Sequence, residues 1–489
     1  MKSSSCRALK LSLSFLFVSA FQMTASYASF IDPKLESWIS ETESAANPNQ
    51  FADAETPKQE VIVYLKMPSY HDHSGLAPAQ ALVEETTFTR SFLRERSKEL
   101  ITMLPLQENR VDYLWSSNAM IVQVDRTALK KLRRDPNVEG IIYNRIVSLD
   151  EPKNLQGGHH ENKANESKMT YGLQAIHADA AWNQGITGEG VVIGVIDTGV
   201  DETHPDLKGK ILLKKDFTKE NNNLDGDGHG THVCGTIVGG DASGTQIGVA
   251  PGAKIIMAKA LDSKGEATLG TLLKAMEWML DPDGDPSTND APRLVSNSWG
   301  TSIQFIYGFR NVIRSWRRFG IFPNFAAGNS GPIYLSVNAP GSYPFAFAVG
   351  AIDEDSNITS FSSRGPTIWW KGWHPILVRK PEIAAPGLYV KSSIPNGQWD
   401  TMSGTSMATP HIAGVAALAF QANPNLTTEA LMEILETTGL DRSNKGGDNR
   451  YGHGVVQVDK VIERAKAWQV SAPSSFQDKD PSQWEWDTP

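Results

Sequence analysis

Three short patterns in the chain carry residue types that can act together on a carbonyl carbon. Asp197-Thr198-Gly199 follows an apolar run from Val191 to Ile196. Gly228-His229-Gly230-Thr231-His232 follows a polar loop rich in Asn and Asp. Gly404-Thr405-Ser406-Met407-Ala408-Thr409-Pro410-His411 opens a stretch of small apolar residues with helical character. Singly, each has a plain explanation as a turn, a glycine bend or a helix cap. In combination they supply an acid at a strand end, an imidazole and a hydroxyl. A serine hydroxyl is a poor nucleophile at neutral pH. It needs an imidazole to take its proton, and the imidazole needs a carboxylate to fix its tautomer. A serine in the first turn of a helix also sets its own N–H, and the helix dipole, where an oxyanion develops. On spacing alone His229 and His232 are both open as the base.

The elements that must position these residues read as an α/β region. The run Val191 to Ile196 has the continuous apolar character of a strand buried on both faces. Ile255 to Ala258, Leu294 to Asn297, Ile321 to Ala326 and Phe345 to Val349 repeat it. Helical stretches lie between, at Leu269 to Leu280, Gly308 to Phe319 and His411 to Gln421. Alternation of this kind predicts a mostly parallel sheet with helices on both faces, and a site at the carboxyl ends of the strands.

The 489 residues are too many for one core. Residues 1–28 read as a signal peptide: Lys2, Arg7 and Lys10 precede the apolar stretch Leu11 to Met23, and Ser26-Tyr27-Ala28 offers small residues for cleavage. Residues 29 to about 57 read as a spacer. Residues 58–150 predict a small α/β sandwich: strands at Val61 to Leu65, Ala119 to Val124 and Val138 to Ile146, with helices from Pro78 to Leu104 and Thr127 to Arg134. Residues 151–169 are polar and Gly/His/Asn-rich, a linker with the expected processing site. The domain with the three patterns spans 170–468, and 469–489 reads as a loose tail. A net charge of −9 and no Lys/Arg-rich run argue against a nucleic-acid partner. No segment outside the signal region is long enough to span a bilayer, so no membrane association is expected after signal cleavage. With Cys6 in the signal peptide, Cys234 is the one mature thiol, a small buried residue behind the site.

Taken together, the three motifs resemble the subtilase family, whose catalytic order is Asp, His, Ser. The resemblance covers roughly Tyr171 to Ala467, and Phe361 to Pro366 and Pro381 to Gly387 look closest to its bacillopeptidase F-like branch. It implies Asp197, His229 and Ser406 as the triad, choosing His229 over His232, and Asn329 in Ala326-Ala327-Gly328-Asn329 as the oxyanion donor. A neutral amide suits that task, because it donates without adding charge. It implies substrate binding by backbone pairing along Ser298, Trp299 and Gly300 and along Lys264 to Ala267 with Gly265, and a P1 pocket shaped partly by Asn338. The family pattern has Gly where Ala267 stands, and often where Thr301 stands, so subsite shape is not carried over.

The same resemblance implies that residues 58–150 are an inhibitory propeptide that assists folding and blocks the cleft. A structural calcium ion follows by family habit, with Asp206 matching a family ligand and Asp241 in a loop of matching position. A partnering Gln expected near Ser167 is absent. Asp281, Asp283 and Asp285 form a carboxylate-rich loop, although Pro282 and Pro286 suit a plain surface turn. The expectation is a secreted, extracellular, monomeric serine endopeptidase acting on proteins and peptides, made as a self-processing zymogen. Two other readings use the same residues: a silent scaffold, disfavoured because no triad member is missing, and an esterase or transpeptidase.

Overall fold

The computed structural model describes residues 30–40, 58–66, 78–103, 111–150 and 168–469, apart from 302, 305, 372–373 and 443–445. The signal segment 1–28, nearly all of the linker and all but the first residue of the tail lie outside the described residues.

Strand Val192–Asp197 lies inside a seven-stranded parallel sheet. The spatial order is 383–386, 347–352, 322–326, 294–297, 192–197, 254–259 and 211–216. Side chains alternate across the pleat. Ile193, Val195, Ile255 and Met257 face one apolar cluster with Val233, Ile237 and the small residues of helix Thr405–Ala422. Ile196, Ile256 and Ala258 face the other, with Leu272, Met276 and Trp316 from helices Leu269–Trp278 and Arg310–Arg318. Both faces are dry, which explains the continuous apolar runs. Strand Ile211–Asp216 closes one edge with every side chain half-buried or exposed and with two lysines, Lys214 and Lys215, which discourage further pairing. Neither it nor strand Ile383–Pro386 is among the strands expected from the sequence.

The N-terminal sheet has the spatial order 30–31, 138–143, 59–65, 119–124 and 112–114, with helices Pro33–Ser40, Pro78–Met103 and Arg126–Arg134. Two boundaries differ from the sequence reading. Phe30–Ile31 pairs in parallel with Gly140 and Ile141, so part of the supposed spacer completes this domain. The closing strand ends at Tyr143, and Ile146–Ser148 leaves the sheet to pair with Glu266–Thr268 of the larger domain.

One apolar cluster runs across both domains, from Leu35 through Ile121 and Ile142 to Leu273 and Phe309. The edges of this contact are polar and paired. Asn144 Oδ1 accepts from the N–H of Gly270, 2.7 Å, in the first turn of helix Leu269–Trp278. Glu277 Oε2 accepts from the N–H and hydroxyl of Ser116 at 2.8 and 2.9 Å. Arg90 pairs with Asp281 at 3.2 Å, and Glu85 with Arg318 at 2.7 Å.

Candidate active site

Asp197 is the last residue of its strand and fully buried. Its Oδ1 accepts from Nδ1 of His229 at 2.7 Å and from the N–H of Thr198 at 2.8 Å. His229 opens helix His229–Val238, and Gly228 before it takes φ 102°, a left-handed conformation suited to glycine. Asp225 ties the two together. Its Oδ1 accepts from the hydroxyl of Thr198 and the N–H of Gly228, both at 2.8 Å, and its Oδ2 from the N–H and hydroxyl of Thr231. The sequence marked Asp225 only as part of an Asn/Asp-rich loop.

Burial works against the charged form of His229. The carboxylates of Asp197, Asp227 and Asp225 outweigh it, so the ring titrates above an ordinary histidine. His232, one turn further on, differs. Burial and the nearby His229 push it down to about 3, and its Nε2 bonds the carbonyl of Val390 at 2.9 Å. It is a neutral packing residue. Cys234 is fully buried, and burial raises its thiol well above the ordinary range.

Ser406 is the second residue of helix Thr405–Ala422. Its hydroxyl donates to the carbonyl of Ser298, and the hydroxyl of Ser298 donates to the carbonyl of Ser406, each at 2.8 Å. No hydrogen bond joins Ser406 to His229 among the described residues. Asn329 lies across from the helix start. Its Oδ1 accepts from the N–H of Thr405 at 2.9 Å and from the Thr405 hydroxyl at 3.1 Å. Its Nδ2 donates to the carbonyl of Asp150, and its backbone N–H donates to Asp150 Oδ2 at 3.0 Å.

The cleft is therefore filled by the chain itself. Ser148, Val147 and Ile146 pair antiparallel with Glu266, Ala267 and Thr268. The N–H of Leu149 donates to the carbonyl of Gly265 at 2.9 Å. Gly265 has φ 69°, and a Cβ there would come within 2.9 Å of the Leu149 side chain. Of the two segments expected to pair with an extended peptide, the one around Gly265 does so here. Trp299 is almost wholly buried against Phe309 and Phe325. Gly300 lies beside Asn338 and Ala339, and Asn338 packs behind Gly328. Nothing in the sequence singled out Asp150.

The expected calcium ligands fare unevenly. Both carboxylate oxygens of Asp206 carry N–H donors, from Ala242 at 2.7 Å and from the indole of Trp399 at 2.6 Å. Asp241 is exposed, and its carbonyl accepts from Gly244. In the other acidic loop, carboxylate oxygens of Asp281, Asp283 and Asp290 come within 4.8 Å of one another. Asp281 Oδ1 is buried without a hydrogen-bond partner. Asp285 turns to Ser287 instead.

A parallel sheet covered on both faces, with an acid, an imidazole and a helix-start serine at its carboxyl ends, belongs to the α/β class of hydrolase folds. Residues 188–454 match the subtilase family. The chain is 36% identical over 380 residues to bacillopeptidase F of Bacillus subtilis, covering 71% of this chain and 26% of that protein. It is 33% identical over 332 residues to the serine protease AprX of the same species, covering 62% and 73%. It is 32% identical over 348 residues to subtilisin E, covering 71% and 81%. The chain thus spans about a quarter of the length of bacillopeptidase F and most of the other two. The chain belongs to the subtilase family of serine endopeptidases. Among the described residues no helix is long and apolar enough to cross a membrane.

Proposed function

We propose that the chain is a secreted serine endopeptidase made as a self-processing zymogen, with Ser406 as nucleophile, His229 as base, Asp197 as its orienter and Asn329 as oxyanion donor. The observation that carries the reading is the extended segment 146–150 in the cleft, its last carbonyl held by Asn329 Nδ2. This is how a substrate strand would lie.

For the reaction, the Ser406 hydroxyl rotates from the Ser298 carbonyl toward Nε2 of His229. Oγ adds to the substrate carbonyl while the proton passes to Nε2. The Asp197 carboxylate supports the imidazolium, and Nδ2 of Asn329 with the N–H of Ser406 receives the oxyanion. The imidazolium then protonates the leaving amine, and water releases the acyl group by the same steps in reverse.

Residues 30–150 act as intramolecular inhibitor, and the stretch Leu11 to Met23 supports export to the extracellular side. A structural calcium ion would be held by Asp281, Asp283 and Asp290, whose carboxylate oxygens converge within 4.8 Å with Asp281 Oδ1 unpaired. It would brace the loop before strand Leu294–Asn297.

The test is Ser406→Ala beside the wild type, with casein as substrate. The expected loss is ~10⁶ in kcat, a size known from a subtilisin and so borrowed from the family. Casein digestion by the variant at the wild-type rate overturns the reading.

A further inference from the structure

Five consecutive residues at the end of the N-terminal domain make graded contact with the larger domain. Ile146, Val147 and Ser148 form a ladder with Thr268, Ala267 and Glu266. Leu149 gives its N–H to the carbonyl of Gly265. Asp150 then gives two acceptors to one residue: its carbonyl to Nδ2 of Asn329 and its carboxylate to the N–H of Asn329, 3.0 Å. Asn329 Nδ2 cannot turn elsewhere, because Thr405 holds Oδ1 of the same amide.

A donor of this kind marks the carbonyl that will become an oxyanion. Register does the rest. With Leu149 fixed on Gly265, a slip by one residue would turn each side chain to the opposite face of the strand. The bond that follows the Asp150 carbonyl is the one to Glu151.

We propose that the chain cuts itself between Asp150 and Glu151, and that the Asp150 carboxylate is received at the P1 position by the backbone N–H of Asn329. The inference rests on the peptidase reading above and adds the bond and the P1 contact. Ser406 Oγ bonds to the carbonyl carbon of Asp150, and its proton goes to His229. The C–N bond to Glu151 breaks, and the nitrogen of Glu151 takes that proton as it leaves. Water then hydrolyses the ester, leaving a carboxylate on Asp150.

Two consequences follow. The mature chain begins at Glu151 and keeps the polar stretch 151–169 as an N-terminal arm, so the linker is retained rather than removed. The P1 contact is made by a neutral N–H. No Lys or Arg pairs with Asp150 among the described residues. The site therefore admits an acidic side chain without demanding one.

The full chain is expressed as wild type, Ser406→Ala, Asp150→Asn and Asp150→Lys. Reactions are stopped in denaturant at early times and both fragments are weighed by intact mass. The expected result is one first cut in the wild type, giving a fragment that ends at Asp150 and one that starts at Glu151, and no cut in Ser406→Ala. Asp150→Asn keeps an acceptor and cuts within a few-fold of wild type. Asp150→Lys loses a charge-assisted bond and cuts slower by about 10- to 100-fold.

A wild type that digests casein but makes its first cut elsewhere overturns the proposal and leaves the peptidase reading standing. Equal rates for Asp150→Lys and wild type overturn the P1 contact. A wild type that neither cuts itself nor digests casein overturns both readings. Circular dichroism of Asp150→Lys, compared with Ser406→Ala, separates slow cutting from failure to fold.

Discussion

Thr405 holds Asn329 by two bonds to one oxygen, from its N–H at 2.9 Å and its hydroxyl at 3.1 Å. An amide has one acceptor end and one donor end. With the acceptor end engaged at the helix start, the donor end faces the cleft. Asn329→Ala removes the donor and should lower kcat by ~10²–10³, a range already measured for such a donor in a subtilisin. Thr405→Ala keeps the N–H bond and loses the hydroxyl bond, worth about 1 kcal/mol, so kcat should fall about fivefold. In both variants kcat should fall by a larger factor than KM rises, because the bond strengthens as the carbonyl becomes an oxyanion. Steady-state kinetics on a peptide anilide separate the two parameters. A rise in KM at constant kcat would assign Asn329 to ground-state binding.

In the proposed mechanism His229 must be neutral to accept the proton of Ser406. Its neighbours Asp197, Asp227 and Asp225 raise its pKa above the ordinary 6.5 despite burial. Activity is therefore full above that raised value and is lost as pH falls through it. Asp227→Asn removes one of these charges while keeping an acceptor for the His229 N–H, 3.1 Å away. The acidic limb of kcat/KM should move to lower pH in this variant. An unmoved limb would mean that Asp227 does not act on the imidazole.

Glu277 sits under the N-terminal domain and accepts two bonds from Ser116. Burial lifts it to about 7, with Asp281 adding to the rise, while the bonds from Ser116 and the charge of Arg90 pull the other way. On the proposed release of the N-terminal piece, helix Leu269–Trp278 would be uncovered and this carboxyl would return toward the ordinary 4.5. The raised value belongs to the bound form, so the extra proton favours binding at low pH. That advantage fades as pH climbs through about 7. Dissociation of the cut complex should be slower at pH 5.5 than at pH 8, and Glu277→Gln should flatten the difference. Faster release at the lower pH, in a protein that stays folded, contradicts the assignment.

Gly270 leaves the notch into which Ile121 fits. A Cβ added there would stand 2.8 Å from Ile121 Cδ1 and 3.2 Å from Asn144 Nδ2. Gly270→Val should weaken the hold on the N-terminal piece by about 1–2 kcal/mol, roughly tenfold. Residual inhibition after the cut, followed with a fluorogenic peptide, reports this directly. The proposed triad is untouched, so activity without the N-terminal piece should match wild type.

The three motifs were readable because each couples a side chain able to act in catalysis to a glycine that a tight backbone demands: Gly199 at φ 119°, Gly228 at φ 102° and Gly404 at φ 154°. The central strands were readable because both their faces are apolar. Strand Ile211–Asp216 was not, since its outward side chains are solvated and break the run. Helix His229–Val238 also escaped, because its glycines and β-branched residues argue against a helix and packing against helix Thr405–Ala422 overrides them. Phe30–Ile31 is too short to signal a strand, and its partner lies more than a hundred residues away. Asp150 and Asp290 carry no local mark. Their placement comes from the strand register and from the fold of the 281–290 loop.

The ladder between Ile146–Ser148 and Glu266–Thr268 does not depend on the peptide bond beyond it. In the proposed self-processing, scission and departure are then separate events with separate kinetics. Scission is first order and indifferent to protein concentration. Departure trades a tethered contact for a dissociable one and loses only the effective concentration of the tether. On that proposal each molecule that sheds its fragment would digest the fragments of others. A purified sample should therefore stay quiet for a lag and then switch on sharply, with a lag that shortens as the sample is made more concentrated.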